Sequence, residues 1–249
     1  MTMLLIDNSN GRTKFALAEE GVPAPEVRVL PTAELAEASV SALLQGWRFN
    51  RVALCSVVPH AAELLTRCLS LKAPVQRISA ALADLPVDFA PYPASATLGA
   101  DRVVNVVAAA ALFPGKPLMV LDAGTATTLD VVLPSAAGGR PRYIGGSIAP
   151  GLGTLASALH CATAQLPSIP LSLPEHAVGR NTTEAMQSGC VLGYRGLLRE
   201  LIASAEAECG VPMTLVATGG DAPLLAQLLP EITCVDPLLT LRGIVLCAS

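Results

Sequence analysis

The stretch Leu118-Met-Val-Leu-Asp122-Ala-Gly-Thr-Ala-Thr-Thr128-Leu-Asp-Val-Val-Leu133 repeats an arrangement that already opens the chain. There Leu4-Leu-Ile-Asp7 leads into a polar turn, after which Lys14-Phe-Ala-Leu17 resumes the apolar character. In both places an apolar strand ends in aspartate and a short turn returns the chain as a second strand, so each stretch predicts a β-hairpin. The strong punctuation Pro114-Gly-Lys-Pro117 lies just before the second hairpin and marks a candidate domain boundary.

Strands and helices alternate along the rest of the chain. Helices are predicted at residues 33–44, 61–69, 98–112, 154–159, 181–209 and 223–229, and strands at residues 51–58, 143–152 and 215–218. Asn181 suits the N-cap of the longest helix. This alternation predicts an α/β fold with an N-terminal lobe at 1–114 and a C-terminal lobe at 115–249.

Composition excludes several classes of partner. Of the 249 residues, 52% are hydrophobic and 14% are charged, which predicts a large core. The net charge of -4 leaves no basic stripe for a nucleic-acid backbone, and we expect no nucleic-acid partner. The apolar runs fall short of the roughly 20 residues that a membrane span needs. The start of the sequence lacks the pattern of a secretory signal, so we expect a cytoplasmic protein without a membrane partner.

The cysteines and histidines form no pattern typical of a metal site. Seven cysteines are scattered without C-x-x-C spacing, and they indicate neither a disulfide framework nor a zinc site. The three histidines lie far apart at positions 60, 160 and 176, and we expect surface or packing roles for them.

Three turns combine features suited to a nucleotide. In Asp7-Asn-Ser-Asn-Gly-Arg-Thr-Lys14, a carboxylate that could position Mg2+ through water stands beside turn amides that could hold a phosphate. Asp122-Ala-Gly-Thr-Ala-Thr-Thr128 repeats the acid and adds small residues that let backbone approach a polyphosphate. In Ala217-Thr-Gly-Gly-Asp-Ala222, an adenosine ring could lie over bare backbone. Each turn could also be purely structural, but together they indicate a nucleotide between two domains.

Gly99-Ala-Asp-Arg102 differs from these turns because it places an acid and an arginine near a predicted helix start. Asp101 could orient a substrate hydroxyl for attack on a γ-phosphate, and Arg102 could hold an anionic substrate group. The alternative is an aspartate that stabilises a helix N-terminus beside a solvated arginine.

These motifs, in this order, resemble those of the type III pantothenate kinases over nearly the whole chain. That family carries an Asp-x-Gly-Asn-Thr-x-x-Lys loop, a Gly-x-Asp-Arg motif, an Asp-x-Gly-Thr-Ala-x-Thr turn and later glycine-rich motifs. The corresponding residues here are Asp7 to Lys14, Gly99 to Arg102, Asp122 to Thr128, Tyr143-Ile-Gly-Gly-Ser-Ile-Ala-Pro-Gly151, Gly179-Arg-Asn-Thr182, Ala217-Thr-Gly-Gly220 and Asp236-Pro-Leu-Leu-Thr-Leu-Arg-Gly243.

The resemblance implies a two-lobed actin-like, ribonuclease H-like ATPase fold with duplicated domains. It also implies ATP-dependent phosphorylation of pantothenate to 4′-phosphopantothenate, the first step of coenzyme A biosynthesis, by a homodimer. Asp101 would be the catalytic base, Asp122 would bind the monovalent cation, K+ or NH4+, and Asp7 would hold Mg2+ through water. The implied ATP-binding residues are Asp7, Asn8, Ser9, Asn10, Gly11, Arg12, Thr13, Lys14 and Thr125. The implied pantothenate-binding residues are Tyr92, Gly99, Ala100, Asp101, Arg102 and Thr182.

One departure from the family pattern leaves two alternatives open. Where the family has Gly-Asn-Thr, this chain has Ser9-Asn10-Gly11 with the spacing from Asp7 to Lys14 preserved. We expect Asn10-Gly11 to supply a positive φ for the tight turn, and Ser9 could replace the lost hydroxyl. If Ser9 instead crowds the phosphate, the chain would be a weakened or inactive relative with a regulatory or binding role. The other alternative is a related enzyme acting on another hydroxylated small molecule.

Overall fold

The computed structural model describes residues 2–135 and 138–248. Packing divides the chain into two compact units. Unit 1 comprises Met1–Pro114, Ser135–Tyr143 and Leu238–Ser249, and unit 2 comprises Gly115–Pro134 and Ile144–Pro237. The first division falls at the Pro114-Gly115 break, whereas the C-terminal segment packs with unit 1. The lobe boundaries 1–114 and 115–249 stay a prediction about folding domains.

Ten strands and seven α-helices make up the described chain. The elements up to the break are β1 (Thr2–Asn8), β2 (Arg12–Glu19), β3 (Val22–Pro31), α1 (Glu37–Leu43), β4 (Arg51–Ser56), α2 (Pro59–Ser70), β5 (Val75–Arg77) and α3 (Ala100–Leu112). Those after it are β6 (Leu118–Ala123), β7 (Ala126–Leu133), β8 (Arg142–Pro150), α4 (Leu152–Ala162), α5 (Thr182–Cys209), β9 (Thr214–Thr218), α6 (Ala222–Leu228), β10 (Ile232–Val235) and α7 (Leu239–Ala248). Within these described residues, no helix is both long and apolar enough to cross a membrane.

The two sheets have the same strand order, and their three central strands have the same relative directions. The first sheet runs β3-β2-β1-β4-β5 and the second runs β8-β7-β6-β9-β10. In each sheet the central strand pairs antiparallel with the returning hairpin strand and parallel with the strand on its other side. The hairpins predicted from the sequence are therefore confirmed, and each forms the centre of one copy of a duplicated α/β arrangement.

The duplication places the two strand-end aspartates at equivalent positions. Asp7 is the second-last residue of β1 and pairs with Lys14 across the hairpin and with Cys55 on β4. Asp122 is the second-last residue of β6 and pairs with Thr128 across the hairpin and with Thr218 on β9. In both sheets these positions lie at the carboxyl ends of parallel strands, where open α/β sheets bind ligands.

The first sheet buries both of its faces within unit 1. Leu4 and Ile6 on β1 pack with Leu65 of α2 in one core cluster. Leu5 lies between them in sequence and is fully buried, and strand alternation turns its side chain to the opposite face. On that face α3 and α7 contact the strands of the sheet. Continuous apolar strands such as β1 are what burial on both faces requires.

The close contact of α3 with α7 depends on Gly243. The buried stretch of α3 from Val103 to Ala109 confirms the predicted Ala/Val-rich helix. A Cβ added to Gly243 of α7 would lie 1.9 Å from the carbonyl oxygen of Val104 and 2.9 Å from its Cα. Backbone atoms of a helix cannot yield as a flexible side chain can, so a side chain at position 243 would force the two helices apart.

We therefore expect Gly243→Ala to lower the free energy of unfolding by roughly 3 kcal/mol, the upper part of the range for overpacked cores. Gly189→Ala in α5 is the matched control, because among the described residues no heavy atom beyond its chain neighbours and its own helix backbone lies within 4 Å of the added Cβ. Alanine is the better helix former there, so the control should match or exceed the wild type by up to about 1 kcal/mol. Urea denaturation followed by circular dichroism measures both, and equal stability of the two variants would contradict the expected contact.

Candidate functional site

The first candidate feature is the buried ion pair at the base of the β1–β2 turn. The side chain of Asp7 is 10% exposed, and its Oδ2 lies 3.3 Å from Nζ of Lys14, which is 37% exposed. Burial raises the pKa of the Asp7 carboxyl, and the charge and hydrogen bond of Lys14 act in the opposite direction. The ammonium group therefore helps to keep a poorly hydrated carboxylate ionised beside an exposed turn.

Behind this turn the structure places a buried network of hydroxyl and amide groups. Asn8 Nδ2 donates to Thr13 Oγ1 at 2.7 Å, and Ser56 Oγ donates to Asn8 Oδ1 at 2.6 Å. The hydroxyls of Thr13 and Thr32 lie 3.1 Å apart. Asn8 and Thr13 are buried, so their side chains serve this network, and any contact they make with ATP would come from their backbone. Sequence reasoning missed Thr32 and Ser56 because they lie in other elements.

The turn itself differs from the sequence expectation. Positive φ was expected at Asn10-Gly11, but neither residue has it, and that expectation is wrong. The Ser9 hydroxyl closes the turn by donating to the Arg12 carbonyl at 2.9 Å, beside the backbone bond from Ser9 N to Arg12 O at 3.0 Å. The Ser9 hydroxyl thus makes a hydrogen bond within the turn that glycine could not make. Residues 10 to 12 remain exposed.

The second feature is the N-terminus of α3. Asp101 Oδ1 accepts a hydrogen bond from the backbone N–H of Arg102 at 2.8 Å. A Cβ added to Gly99 would lie 2.5 Å from that same Oδ1 and 3.8 Å from Cγ1 of Val57. The glycine therefore leaves the space that the Asp101 carboxylate occupies over the first turn of α3, where the helix dipole stabilises negative charge.

Val57 connects this helix start to the first turn. Its backbone N–H donates to the carbonyl of Asn8 at 3.1 Å, and its side chain faces Gly99. The carboxyl ends of β1 and β4 and the start of α3 are thereby brought together within unit 1. The sequence-predicted groups Asp7–Lys14 and Gly99–Arg102 flank this junction.

Tyr92 lies on an aromatic cluster that the sequence analysis did not foresee. Its ring meets the fully buried ring of Tyr143 edge-on with centroids 5.3 Å apart, and Phe89 contacts the same ring at 5.3 Å. The backbone N–H of Tyr143 donates to Asp88 O at 2.9 Å, which ties the loop of Tyr92 to the start of β8. The sequence predicts a glycine-rich strand from position 143, but no local pattern indicates the contact of Tyr143 with Tyr92.

In unit 2 the turn after Asp122 is anchored through Thr125. The Thr125 carbonyl accepts from the backbone N–H of Gly151 at 2.9 Å and from Thr154 Oγ1 at 2.6 Å. A Cβ on Gly151 would lie 1.9 Å from the carbonyl oxygen of Gly124, so close approach requires glycine there. The neighbouring Thr127 hydroxyl hydrogen-bonds the buried hydroxyl of Tyr194. Thr125 itself is exposed at the tip.

Thr128 carries an unusual buried hydroxyl beside Asp122. Cross-strand partners present their side chains on the same face of a sheet, and Thr128 is the direct partner of Asp122. Its Oγ1 is buried without a hydrogen-bond partner in the part of the chain that the structure describes. Leaving a buried hydroxyl unpaired costs about 1–3 kcal/mol, and this position therefore suits an additional ligand.

The remaining predicted positions also lie in unit 2. Gly219 has a φ of +94°, and a Cβ there would meet the Ala123 carbonyl oxygen at 2.3 Å, so this glycine is needed for packing against β6. The N-cap prediction for Asn181 is confirmed, since its side chain accepts from Glu184 N at 3.0 Å. The next residue, Thr182, is exposed and lines an apolar cavity of 410 Å³ with Met186.

Comparison with known proteins adds family evidence to this geometry. The family model described as type III pantothenate kinase matches residues 3–204. A type III pantothenate kinase of Akkermansia muciniphila is 43% identical over 249 residues, which are 100% of this chain and 99% of that protein. One from Methylacidiphilum infernorum is 36% identical over 247 residues, covering 97% of this chain and 86% of that protein.

Among solved structures, the inorganic polyphosphate/ATP-glucomannokinase of Arthrobacter sp. strain KM resembles this chain with a TM-score of 0.52. The alignment covers 99% of this chain and 96% of that chain at 15% sequence identity. A likeness at this identity concerns the fold, and it confirms the expected actin-like α/β fold with duplicated domains.

The ion pair of the first turn makes a direct electrostatic prediction. Lys14→Met removes the charge that lowers the pKa of Asp7, so the pKa of this carboxyl should rise further in the variant. A pH titration of the Asp7 carboxyl carbon by NMR measures the change. Lys116→Met, which alters an exposed residue near the start of unit 2, should leave the Asp7 titration unchanged. An unshifted or lowered Asp7 pKa in Lys14→Met would contradict the described pairing.

Proposed function

The chain belongs to the type III pantothenate kinase family, and we propose from this premise that it transfers the γ-phosphoryl group of ATP to the 4′-hydroxyl of pantothenate. The products are 4′-phosphopantothenate and ADP, and the reaction is the first step of coenzyme A biosynthesis. Phosphoryl transfer needs positioning and charge neutralisation more than covalent help from the protein. The positions of the acidic side chains and of the backbone N–H groups are therefore decisive for this activity.

The observation that carries the proposal is the placement of Asp101 at the start of α3. Its carboxylate lies over the first helical turn, in the space that Gly99 leaves open. We assign Asp101 as the base that accepts the proton of the pantothenate hydroxyl while the hydroxyl oxygen bonds to the γ-phosphorus and the bond to ADP breaks. The neighbouring Arg102 supplies a cation for the pantothenate carboxylate.

The remaining pantothenate contacts are proposed from the same region and from the start of α5. Gly99 and Ala100 offer backbone at the helix entry, and Tyr92 offers a ring held by its contact with Tyr143. Thr182 adds an exposed hydroxyl at the start of α5. Each of these is a proposal supported by the position of the residue in its own unit.

ATP is proposed to bind at residues 7–14 and at Thr125. The exposed backbone of the first turn suits phosphate oxygens, and Lys14 supplies a partly exposed ammonium group. The chemistry of Asp7 fits a Mg2+ ion held through water, because Mg2+ commonly takes one or two protein carboxylates and completes its shell with phosphates and water. In the chain as described, no group of three or more acidic, histidine or cysteine side chains offers a denser metal cage. When bound, Mg2+ would neutralise phosphate charge.

A monovalent cation, K+ or NH4+, is proposed at Asp122. The donor set fits such an ion, since the carboxylate of Asp122 is joined by the unpaired buried hydroxyl of Thr128 and, on the other neighbouring strand, by Thr218. Oxygen ligands of this kind suit K+. The cation would lie beside the turn that carries Thr125 and would offset phosphate charge there. A homodimer and a cytoplasmic location also remain proposals, the latter because ATP is the phosphoryl donor.

The decisive experiment measures ADP release by the purified protein with ATP, Mg2+ and pantothenate, with K+ or NH4+ and then with Na+. Turnover should require pantothenate and should fall when Na+ replaces K+. Asp101→Asn keeps the shape of the side chain but removes its basicity, so turnover should drop by about 10²-fold or more while ATP binding persists. Full activity in Asp101→Asn would refute the role of this residue, and ADP release without pantothenate would refute the acceptor.

Gly99→Ala tests the space beside Asp101 independently. The added methyl group would displace the carboxylate, whereas the fold can accommodate it because the clash involves the end of one side chain. We expect kcat to fall roughly ten- to hundredfold, as for misplaced catalytic groups, with a melting temperature within about 3 °C of the wild type.

Gly153→Ala in α4 is the control for this variant, since its added methyl group would meet only ordinary contact, Cδ1 of Leu171 at 3.7 Å. Its kcat should equal that of the wild type. A Gly99→Ala enzyme with unchanged kcat would show that Asp101 does not depend on the space at position 99.

A further inference from the structure

Thr32 is placed behind the first turn and reaches it through two separate bonds. It follows the last residue of β3 and is 7% exposed. Its Oγ1 donates to the carbonyl of Ser9 at 2.7 Å, and its backbone N–H donates to the carbonyl of Gly11 at 3.1 Å. One residue, just after the end of β3, thus holds the carbonyl groups of Ser9 and Gly11.

The direction of the bond between Thr13 and Thr32 follows from counting hydroxyl hydrogens. A threonine hydroxyl has one hydrogen to donate, and Thr32 uses its hydrogen on Ser9 O. The 3.1 Å contact with Thr13 is therefore donated by Thr13, which in turn accepts from the amide of Asn8. Ser56 donates to the amide oxygen of Asn8. The bonds run in one direction, from Ser56 through Asn8, Thr13 and Thr32 to Ser9, and aligned bonds of this kind strengthen one another.

Thr32 holds the Ser9 carbonyl group on the buried side of the turn, and this fixes the direction of the N–H group in the same peptide. In a trans peptide the C=O and the following N–H point in opposite directions. With the Ser9 carbonyl held against buried Thr32, the N–H of Asn10 is directed toward the exposed side of the turn. An outward backbone N–H at an exposed turn is a suitable donor for a phosphate oxygen.

The second sheet contains the same arrangement at the equivalent place. β3 ends at Pro31 and β8 ends at Pro150. The next residue in each case, Thr32 or Gly151, donates its backbone N–H to a carbonyl of the hairpin turn. A threonine hydroxyl supplements this bond in both sheets, from Thr32 itself in the first and from Thr154 in the second. Both copies of the duplicated sheet therefore anchor their hairpin turn in the same way.

We propose that Thr32 is a positioning residue for ATP, which acts by holding the Ser9–Gly11 turn with the Asn10 amide directed at the phosphates. The inference rests on the proposed function in that it takes this turn as the nucleotide site. It also explains how Ser9 is accommodated, because the Ser9 hydroxyl bonds to Arg12 within the turn while Thr32 sets the peptide orientation from behind.

The test compares Thr32→Val, Thr32→Ser and Thr66→Val. Valine keeps the shape and the backbone N–H of residue 32 but removes the hydroxyl, whereas serine keeps the hydroxyl. Thr66 is the matched control, since its hydroxyl donates to the Ala62 carbonyl at 2.7 Å within α2. ATP binding is measured by calorimetry, and KM for ATP, KM for pantothenate and kcat are measured by ADP release.

We expect Thr32→Val to weaken ATP binding and raise KM for ATP roughly five- to twentyfold, in line with the loss of one buried hydrogen bond. Its KM for pantothenate and its kcat at saturating ATP should stay within about twofold of the wild type. Thr32→Ser should restore ATP affinity, and Thr66→Val should not change it. A general loss of structure would instead lower kcat or the active fraction and would not be confined to ATP.

Unchanged ATP affinity in folded Thr32→Val would overturn the inference, and so would equal changes in both KM values. If Thr32→Val does not fold, Thr13→Val removes the preceding donor of the same network and should raise KM for ATP in the same direction, and an unchanged value would again overturn the proposal. A wild type that binds ATP without phosphorylating pantothenate would refute the proposed acceptor, and the binding data would still decide the role of Thr32. A wild type that binds no ATP would overturn both.

Discussion

A buried run of hydrogen bonds from Ser56 through Asn8 and Thr13 to Thr32 supports the first turn, and the first half of the candidate site depends on it. Buried hydroxyl and amide groups are costly unless every partner is present. Once satisfied, they leave the turn little freedom, because its carbonyls are already engaged from behind. The exposed amides and the partly buried pair of Asp7 and Lys14 then face outward on a rigid base. Phosphoryl transfer relies on such prearranged donors more than on reactive side chains.

Four glycines also help to position the groups of the candidate site. Gly151 and Gly219 allow backbone from other elements to approach the end of β6 more closely than any side chain would permit. Gly243 does the same where α7 crosses α3, the helix whose first turn carries Asp101. Gly99 has a different role, because the space that it leaves is filled by the Asp101 carboxylate. These close approaches fix the position of the end of β6, which bears Asp122, and of α3, whose first turn bears Asp101.

The duplicated sheets explain why the polar groups of the site recur in pairs. In each sheet the second-last residue of the central strand is an aspartate, and the hairpin turn is anchored by the residue that follows a proline at the end of the third strand. A threonine hydroxyl reinforces each anchor. The copies differ in the partner opposite the aspartate. Lys14 in the first sheet pairs with Asp7, whereas in the second sheet Asp122 faces Thr128, whose buried Oγ1 has no hydrogen-bond partner among the described residues. The proposed sites differ accordingly, with Mg2+ assigned near the first turn and a monovalent cation at Asp122.

The amino-acid sequence alone predicted the two hairpins, the α/β class, the buried helix α3, the N-cap at Asn181 and the ordered motifs of the family. These features follow from local patterns, namely the hydrophobic periodicity, the glycines and prolines that end helices and strands, and the spacing of a few residues. It missed the edge strands β5 and β10, which are short, and β3, whose prolines hide its alternation. The contacts of Thr32 and Ser56 with the first turn, and of Tyr143 with Tyr92, became visible only in the folded chain. Thr32 lies 19 residues from its partner Thr13, and Ser56 lies 48 residues from its partner Asn8. Pairing at such separations is set by the packing of whole strands, which no local pattern records.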